Sequence, residues 1–183
     1  MYVLHRNKLF HCKSKRRKAE IMKKIPHEEI ISYPQRVLFL CTHNSARSQM
    51  AEALLRLRGG DYYNAYSAGI APGVLHPLTV KVMTELGIDI SNTTRYRAKH
   101  LNEFLDQPPI DLVVTVCDRA AEQCPSFPRA RRQVHWGFPD PSLATGNEWE
   151  QIAVFRHIRD LIATRINQFV REQQALSLPS NSR

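Results

Sequence analysis

RVLFLCTHNSARSQMAEALLRLR, from Arg36 to Arg58, is the stretch on which the reading of this 183-residue chain turns. Its apolar run Val37-Leu38-Phe39-Leu40 is short and uninterrupted, as in a strand buried on both faces. The run ends on Cys41, and small or polar residues follow as far as Arg47-Ser48. From Ser48 the spacing turns helical, with Met50, Ala53, Leu54 and Leu57 on one stripe and Gly59-Gly60 closing it. A cysteine at the carboxyl end of a strand, in a loop that opens a helix, lies where open α/β sheets bind ligands. Unpaired amide groups and partial positive charge at the helix start favour an anion there.

The pattern repeats downstream. Tyr62 to Tyr66 reads as a second strand, running into Ser67-Ala68-Gly69, and Ala71-Pro72-Gly73 as a loop before a helix over Pro77 to Leu86, closed by Gly87. Ile88 to Arg97 reads as irregular, and Leu101 to Leu105 as a helical turn. Asp111 to Val116 repeats the first strand and again ends on a cysteine, Cys117. Cys124-Pro125-Ser126-Phe127-Pro128 is a loop, Gln133 to Trp136 a fourth strand, and Gly137 to Pro141 a loop at its carboxyl end. Glu148 to about Glu172 forms a long helix with Ile152, Phe155, Ile158, Ile162, Ile166 and Phe169 on one face. Strands alternating with helices predict one α/β domain over 36–173, a three-layer sandwich with a four-stranded parallel sheet and helices on both faces.

Composition is that of a soluble globular protein, 43% hydrophobic and 23% charged. No apolar run approaches the roughly 20 residues that cross a bilayer, so a cytoplasmic protein with no membrane partner is expected. The net charge of +9 is concentrated at the amino end, where residues 1–21 hold seven Lys and Arg against one Glu. Residues 1–35 therefore read as a basic, polar extension, with Met22 as a natural start, and 174–183 as a polar, flexible tail. Such a charge run is usually solvated, and no nucleic-acid partner is expected. Cys12, Cys41, Cys117 and Cys124 are too few and too widely spaced for a secreted disulfide scaffold, which points to reduced, chemically used thiols.

Thr42, His43, Asn44, Ser45, Ala46 and Arg47 can wrap a tetrahedral oxyanion with successive N–H groups inward. The planar fork of Arg47 suits two of its oxygens. The same positive field favours a Cys41 thiolate, since helix N-termini and nearby cations bring cysteine pKa values to about 3.5–7.5. Ser48 is placed to hydrogen-bond the thiolate, and Asn44 tolerates the left-handed backbone of a tight loop. Cys117, at the end of a parallel strand, should lie near the mouth of this loop, with Cys124 seven positions on. That geometry suits thiol–disulfide exchange. Two buried free cysteines are the plain alternative; zinc is disfavoured, because Cys-x6-Cys is not a usual ligand spacing and no His or Cys pair elsewhere completes four ligands, so no bound metal is expected.

CTHNSARS resembles the signature loop of the low-molecular-weight phosphotyrosine phosphatase superfamily. Together with Cys117/Cys124 and His135-Trp136-Gly137-Phe138-Pro139-Asp140-Pro141 it resembles the arsenate reductases built on that fold, from about Val37 to about Phe169. The resemblance implies that Cys41 attacks arsenic(V), that Arg47 and the loop amides hold the oxyanion, and that Asp140 protonates the departing hydroxide. Repulsion from the anion favours protonated Asp140. It further implies that Cys117 attacks the Cys41 sulfur and releases arsenite, and that Cys124 then attacks Cys117. The resulting Cys117–Cys124 disulfide would be reduced by an external thiol reductant, with thioredoxin expected first and glutaredoxin with glutathione, or mycothiol, as the other donors. The segment between the two cysteines should loosen. Some thioredoxin-coupled members hold a potassium ion near the loop with Asn, Glu, Ser and Asp; Asn44, Glu52 and Ser67 match three, and no aspartate stands near Arg95 to Arg97 for the fourth.

Two other readings remain open. A phosphotyrosine phosphatase would need an aromatic cleft, where this chain has Ser142-Leu143 after Asp140-Pro141. A binding module would use the basic residues Arg6 to Lys18. A monomer acting on arsenate or phosphate is the expected form.

Overall fold

The computed structural model of the chain describes residues 34–123 and 126–177. The expectations for residues 1–33, with Cys12 and Met22, and for Cys124 and 178–183 fall outside the described residues.

Four strands form one parallel sheet: β1 (Gln35–Cys41), β2 (Tyr63–Gly69), β3 (Ile110–Thr115) and β4 (Ala130–His135), in spatial order β2-β1-β3-β4. The two apolar runs that end on cysteines are the two central strands, and both are almost wholly buried. Alternation divides their side chains between the faces. Val37, Phe39, Leu112 and Val114 enter the larger core cluster, while Leu38, Leu40 and Val113 enter the smaller one, where Ile110 at the first position of β3 joins them against the alternation.

The larger face is covered by α1 (Arg47–Gly59), α2 (Pro77–Thr84) and the long helix α5 (Glu148–Ser177). Ile152, Phe155, Ile158, Ile162, Ile166 and Phe169 of α5 are all buried, as their spacing predicts. The opposite face has a thinner cover, built by a turn of 3-10 helix at Leu101–Phe104 and by Phe127. Two short helices complete the fold, α3 (Thr93–Tyr96) and α4 (Asp118–Gln123).

The fourth strand spans Ala130–His135 rather than Gln133 to Trp136, and α2 ends at Thr84 rather than Leu86; four further details differ from expectation. Leu57 is 55% exposed, and Ala51 and Leu55 are buried instead, because α1 is enclosed between the sheet and α5 on a wider arc than one stripe. Residues 174–177 belong to α5, so the helix runs past the boundary expected for the tail. Thr93–Tyr96 is helical because the Asn92 side chain accepts from the N–H groups of Thr94 and Arg95 and caps the turn. Asp118–Gln123 is likewise helical, with Ala120 as its buried residue.

The strand register sets the site. Cys41 lies opposite Gly69, Leu40 opposite Thr115, and Thr115 opposite His135. The carboxyl ends of all four strands therefore share one edge. Val116 N–H to the Leu40 carbonyl (2.8 Å) and Trp136 N–H to the Thr115 carbonyl (2.8 Å) continue the pairing past the strand ends and bring Cys117 next to the Cys41 loop.

Candidate active site

The loop from Thr42 to Ala46 is shaped by where its carbonyls go. Those of Cys41, Thr42, His43 and Ser45 accept from the amides of Ile70, Ala71, Gly73 and His76 at 2.9–3.2 Å. The Asn44 carbonyl accepts from Gln49 Nε2 at 3.1 Å, and the Ala46 carbonyl accepts from Met50 in the first turn of α1. With the carbonyls turned outward, the loop's N–H groups face its centre, which is the form of an anion nest. Asn44 sits at its tightest point with φ 51° and no exposed surface. Gly69 makes this close approach possible: a Cβ there would lie 2.8 Å from the Thr42 carbonyl oxygen and 3.0 Å from Asn44 N.

Cys41 is 3% exposed and points into this loop. Its sulfur accepts from Asn44 N–H at 3.0 Å and lies 2.9 Å from Ser48 Oγ. The Asn44 side chain is oriented by its neighbours. Lys99 N–H donates to Asn44 Oδ1 at 2.8 Å, so Nδ2 faces Ser48 Oγ and donates to it at 2.9 Å. That leaves the single proton of Ser48 for the sulfur once the thiol has lost its own.

The thiol does not show the depressed pKa expected from the sequence. Burial pushes the Cys41 pKa up, and this outweighs the pull of Ser48 and the Asn44 amide; nearby Cys117 adds to the rise, and Arg47 opposes it last. The Arg47 guanidinium is itself engaged by other partners. It donates to the Phe138 carbonyl at 3.0 Å and to Asp140 Oδ2 at 2.6 Å. Asp140 thus closes over the loop through Arg47, while its Oδ1 accepts from Ser142 N–H (3.1 Å) and Ser142 Oγ (2.7 Å).

Cys117 is 4% exposed, with its Sγ 3.5 Å from Thr42 Oγ1. Cys117 thus touches the loop at the residue next to Cys41. The helix that follows, α4, is six residues long. His135 braces its start, with one ring nitrogen 2.9 Å from Thr115 Oγ1 and the other 3.1 Å from Asp118 Oδ1.

The structure brings together Cys41, Thr42, His43, Asn44, Ser45, Ala46, Arg47, Ser48, Cys117 and Asp140. His43 turns its Nδ1–H to the Ala71 carbonyl (3.0 Å). Several supporting residues escaped the sequence reading. Gln49 is fully buried under the loop, His76 N–H and Thr79 Oγ1 both hold the Ser45 carbonyl, and Lys99 orients Asn44. His76, Thr79 and Lys99 act on the loop across long sequence separations, and Gln49 reaches both Asn44 and the distant Arg97 carbonyl, so only the glycine that ends β2 and the proline-flanked His76 carried a local signal.

The oxygens expected to hold potassium have other partners. Ser67 Oγ donates to Glu52 Oε2 at 2.6 Å, Asn44 Oδ1 accepts from Lys99 N–H and Gln49, and the Lys99 ammonium stands 3.5 Å from Glu52 Oε2. These residues do not fit a potassium ion as the resemblance would place it.

Residues 36–178 match the family described as low molecular weight phosphotyrosine protein phosphatase. The chain is 46% identical over 136 residues, 73% of its length and 93% of the relative's, to an arsenate reductase of Halalkalibacterium halodurans. Over the same length it is 45% identical to an arsenate reductase of Bacillus subtilis, again covering 93% of that protein. Among solved structures it is similar to an arsenate reductase in the phosphate-binding state, with a TM-score of 0.63 at 27% identity, covering 75% of this chain and 98% of the other. It is also similar to a thioredoxin-dependent arsenate reductase of Corynebacterium glutamicum, with a TM-score of 0.58 at 26% identity, covering 86% of this chain and 71% of the other.

Proposed function

The chain belongs to the low molecular weight phosphotyrosine protein phosphatase family, in its arsenate reductase branch, and we propose that it reduces arsenate by a relay of three thiols, Cys41, Cys117 and Cys124. The observation that carries this reading is the pair of buried free thiols, Cys41 and Cys117, at one sheet edge, with Cys117 Sγ 3.5 Å from the hydroxyl of Thr42, the residue next to Cys41. A phosphatase needs the first; the second has a use when sulfur rather than water resolves the intermediate.

In the first step arsenate enters the loop and draws Arg47 from Asp140, so that the guanidinium clamps two of its oxygens. The Cys41 thiol, held by Ser48 and the Asn44 amide, gives up its proton to the Asp140 carboxylate freed from Arg47, and the sulfur attacks arsenic. Asp140 passes that proton to the hydroxide that leaves, and water departs. The arrival of Arg47 near the sulfur also offsets part of the burial that holds the thiol protonated in the anion-free site.

In the second step the Cys117 thiolate attacks Cys41 Sγ. The As–S bond breaks with its electron pair remaining on arsenic, which falls from the +5 to the +3 state and leaves as arsenite. Cys41 and Cys117 are then joined by a disulfide. In the third step Cys124 attacks Cys117 Sγ and frees Cys41 as a thiolate. The Cys117–Cys124 disulfide accepts two electrons from an external dithiol and returns to two thiols. Helix α4 is suited to moving in this exchange because it is one short element with Ala120 as its buried anchor. The thioredoxin dependence of the related C. glutamicum protein supports thioredoxin as the donor.

The test is arsenate-dependent NADPH oxidation with thioredoxin and thioredoxin reductase, run beside glutaredoxin with glutathione. Turnover is expected with thioredoxin, none with Cys41→Ser, and at most one arsenate attacked per chain with Cys117→Ser. Repeated turnover by Cys117→Ser with thioredoxin as sole reductant would refute the relay.

A further inference from the structure

Under the anion loop lies a buried charge cluster that the thiol chemistry does not use. Glu52 of α1 has 2% of its side chain exposed and Lys99 has 11%. The Glu52 carboxylate receives Ser67 Oγ at 2.6 Å and the Lys99 ammonium at 3.5 Å on one oxygen, and Arg56 Nε at 3.3 Å on the other. The Lys99 ammonium also reaches the carbonyls of Arg95 and Arg97, each at 3.2 Å. An ammonium has three N–H donors and no acceptor, and here it meets three acceptors: a carboxylate and two carbonyls. That donor set is the one a bare monovalent cation would take.

The cluster is wired to the nucleophile through the backbone that folds round the ammonium. Lys99 N–H donates to Asn44 Oδ1, Asn44 Nδ2 donates to Ser48 Oγ, and Ser48 Oγ touches Cys41 Sγ. Gln49 Nε2 ties the Arg97 carbonyl to the Asn44 carbonyl, both at 3.1 Å, and the Lys99 carbonyl accepts from Gly69 N–H at 2.7 Å. Residues 95–99 are thus gathered round one cation on their inner side and hold the tip of the anion loop on their outer side. Two cations against one carboxylate leave a net positive cluster beneath a loop built for an anion.

We propose that Lys99 is a tethered cation that holds the oxyanion loop in shape, so that this chain needs no monovalent metal ion at Asn44, Glu52 and Ser67. Lys99 is a positioning residue: it acts on the anion through Asn44 and Ser48. This rests on the reading of the Cys41 loop as an oxyanion site.

The experiment measures inorganic phosphate binding by calorimetry, with potassium chloride titrated against choline chloride at constant ionic strength. The wild-type protein should bind phosphate equally in both salts. Lys99→Ala, which opens a cation-sized space, should lose on the order of tenfold in choline, about one hydrogen bond's worth, and recover in potassium. Lys99→Met, which keeps the stem but fills the space, should lose the same affinity with no recovery. Thermal unfolding of each variant checks that it is folded, and the wild-type arm decides the matter even where a variant is not. Potassium-dependent binding by the wild-type protein would overturn the proposal, as would unchanged binding by Lys99→Met or loss in Lys99→Ala without rescue. Absence of phosphate binding by the wild-type protein in either salt would instead overturn the oxyanion reading beneath it.

Discussion

Replacing Asn44 by aspartate changes one atom and should silence the nucleophile without unfolding the protein. Aspartate tolerates the left-handed backbone as asparagine does, so φ 51° is kept at little strain. Its Oδ1 still accepts from Lys99 N–H at 2.8 Å, so the tip of the loop stays tied. The second oxygen replaces Nδ2 at 2.9 Å from Ser48 Oγ, and it can only accept. The one proton of Ser48 then turns to the carboxylate, and Cys41 Sγ loses the partner it has at 2.9 Å. A hydrogen bond to a charged group contributes about 1.5–3 kcal/mol, so losing it should push the Cys41 pKa further up. The new negative charge inside the loop adds to that rise and opposes an incoming oxyanion. Site-resolved iodoacetamide alkylation of Cys41, followed by mass spectrometry across a pH series, reads the effect directly. The rate at a fixed pH of about 8 should fall at least roughly tenfold, with the unfolding temperature little changed. A folded Asn44→Asp protein with the wild-type alkylation profile would refute the chain of hydrogen bonds from Asn44 through Ser48 to Cys41.

Three further outcomes are expected. Because burial raises the Cys41 pKa above its ordinary value, alkylation of the anion-free protein should still be climbing at pH values above the ordinary cysteine pKa of about 8.5; an inflection below pH 7 would contradict it. Gly69→Ala should cost about 1–3 kcal/mol in a thermal or urea unfolding series and weaken phosphate binding, since its Cβ would lie 2.8 Å from the Thr42 carbonyl oxygen; wild-type stability and affinity would show that the loop is not packed on β2 as described. Asp140→Asn should slow arsenite formation in a single turnover by about 10²–10⁴-fold while leaving reduction of the preformed disulfide by thioredoxin unchanged; an undiminished first turnover would remove Asp140 from the chemistry.

The parts of the fold that were legible were those with a strong local period. Val37 to Leu40 and Leu112 to Val116 are brief apolar runs ending on cysteines, and they became the two central strands. The isoleucine and phenylalanine spacing of the last helix fixed its buried face, though it did not mark the end, because Gln173, Gln174, Ala175 and Leu176 continue a helix without continuing the apolar stripe. The helix over Asp118–Gln123 was missed because its residues carry no apolar period, and its place is set by Cys117, whose carbonyl accepts from Ala120 and Ala121 at 3.1 Å. In the site, Cys41, Arg47 and Ser48 stand out because the loop is local. Gln49 and Lys99 do not, since their meaning arises when α1 and residues 95–99 meet under Asn44. The Cys41 pKa was misjudged for a related reason: helix start and arginine are visible in sequence, whereas near-complete burial and the turn of Arg47 to Asp140 are tertiary facts.

The central claim is that a thiol, not water, resolves the arsenic adduct on Cys41. The most direct test is a single turnover of the Cys124→Ser protein with one equivalent of arsenate under anaerobic conditions, quenched in acid and mapped by mass spectrometry alongside arsenite release. The account predicts a Cys41–Cys117 disulfide formed in step with one arsenite per chain. Arsenite released while Cys41 and Cys117 both remain free thiols would contradict it.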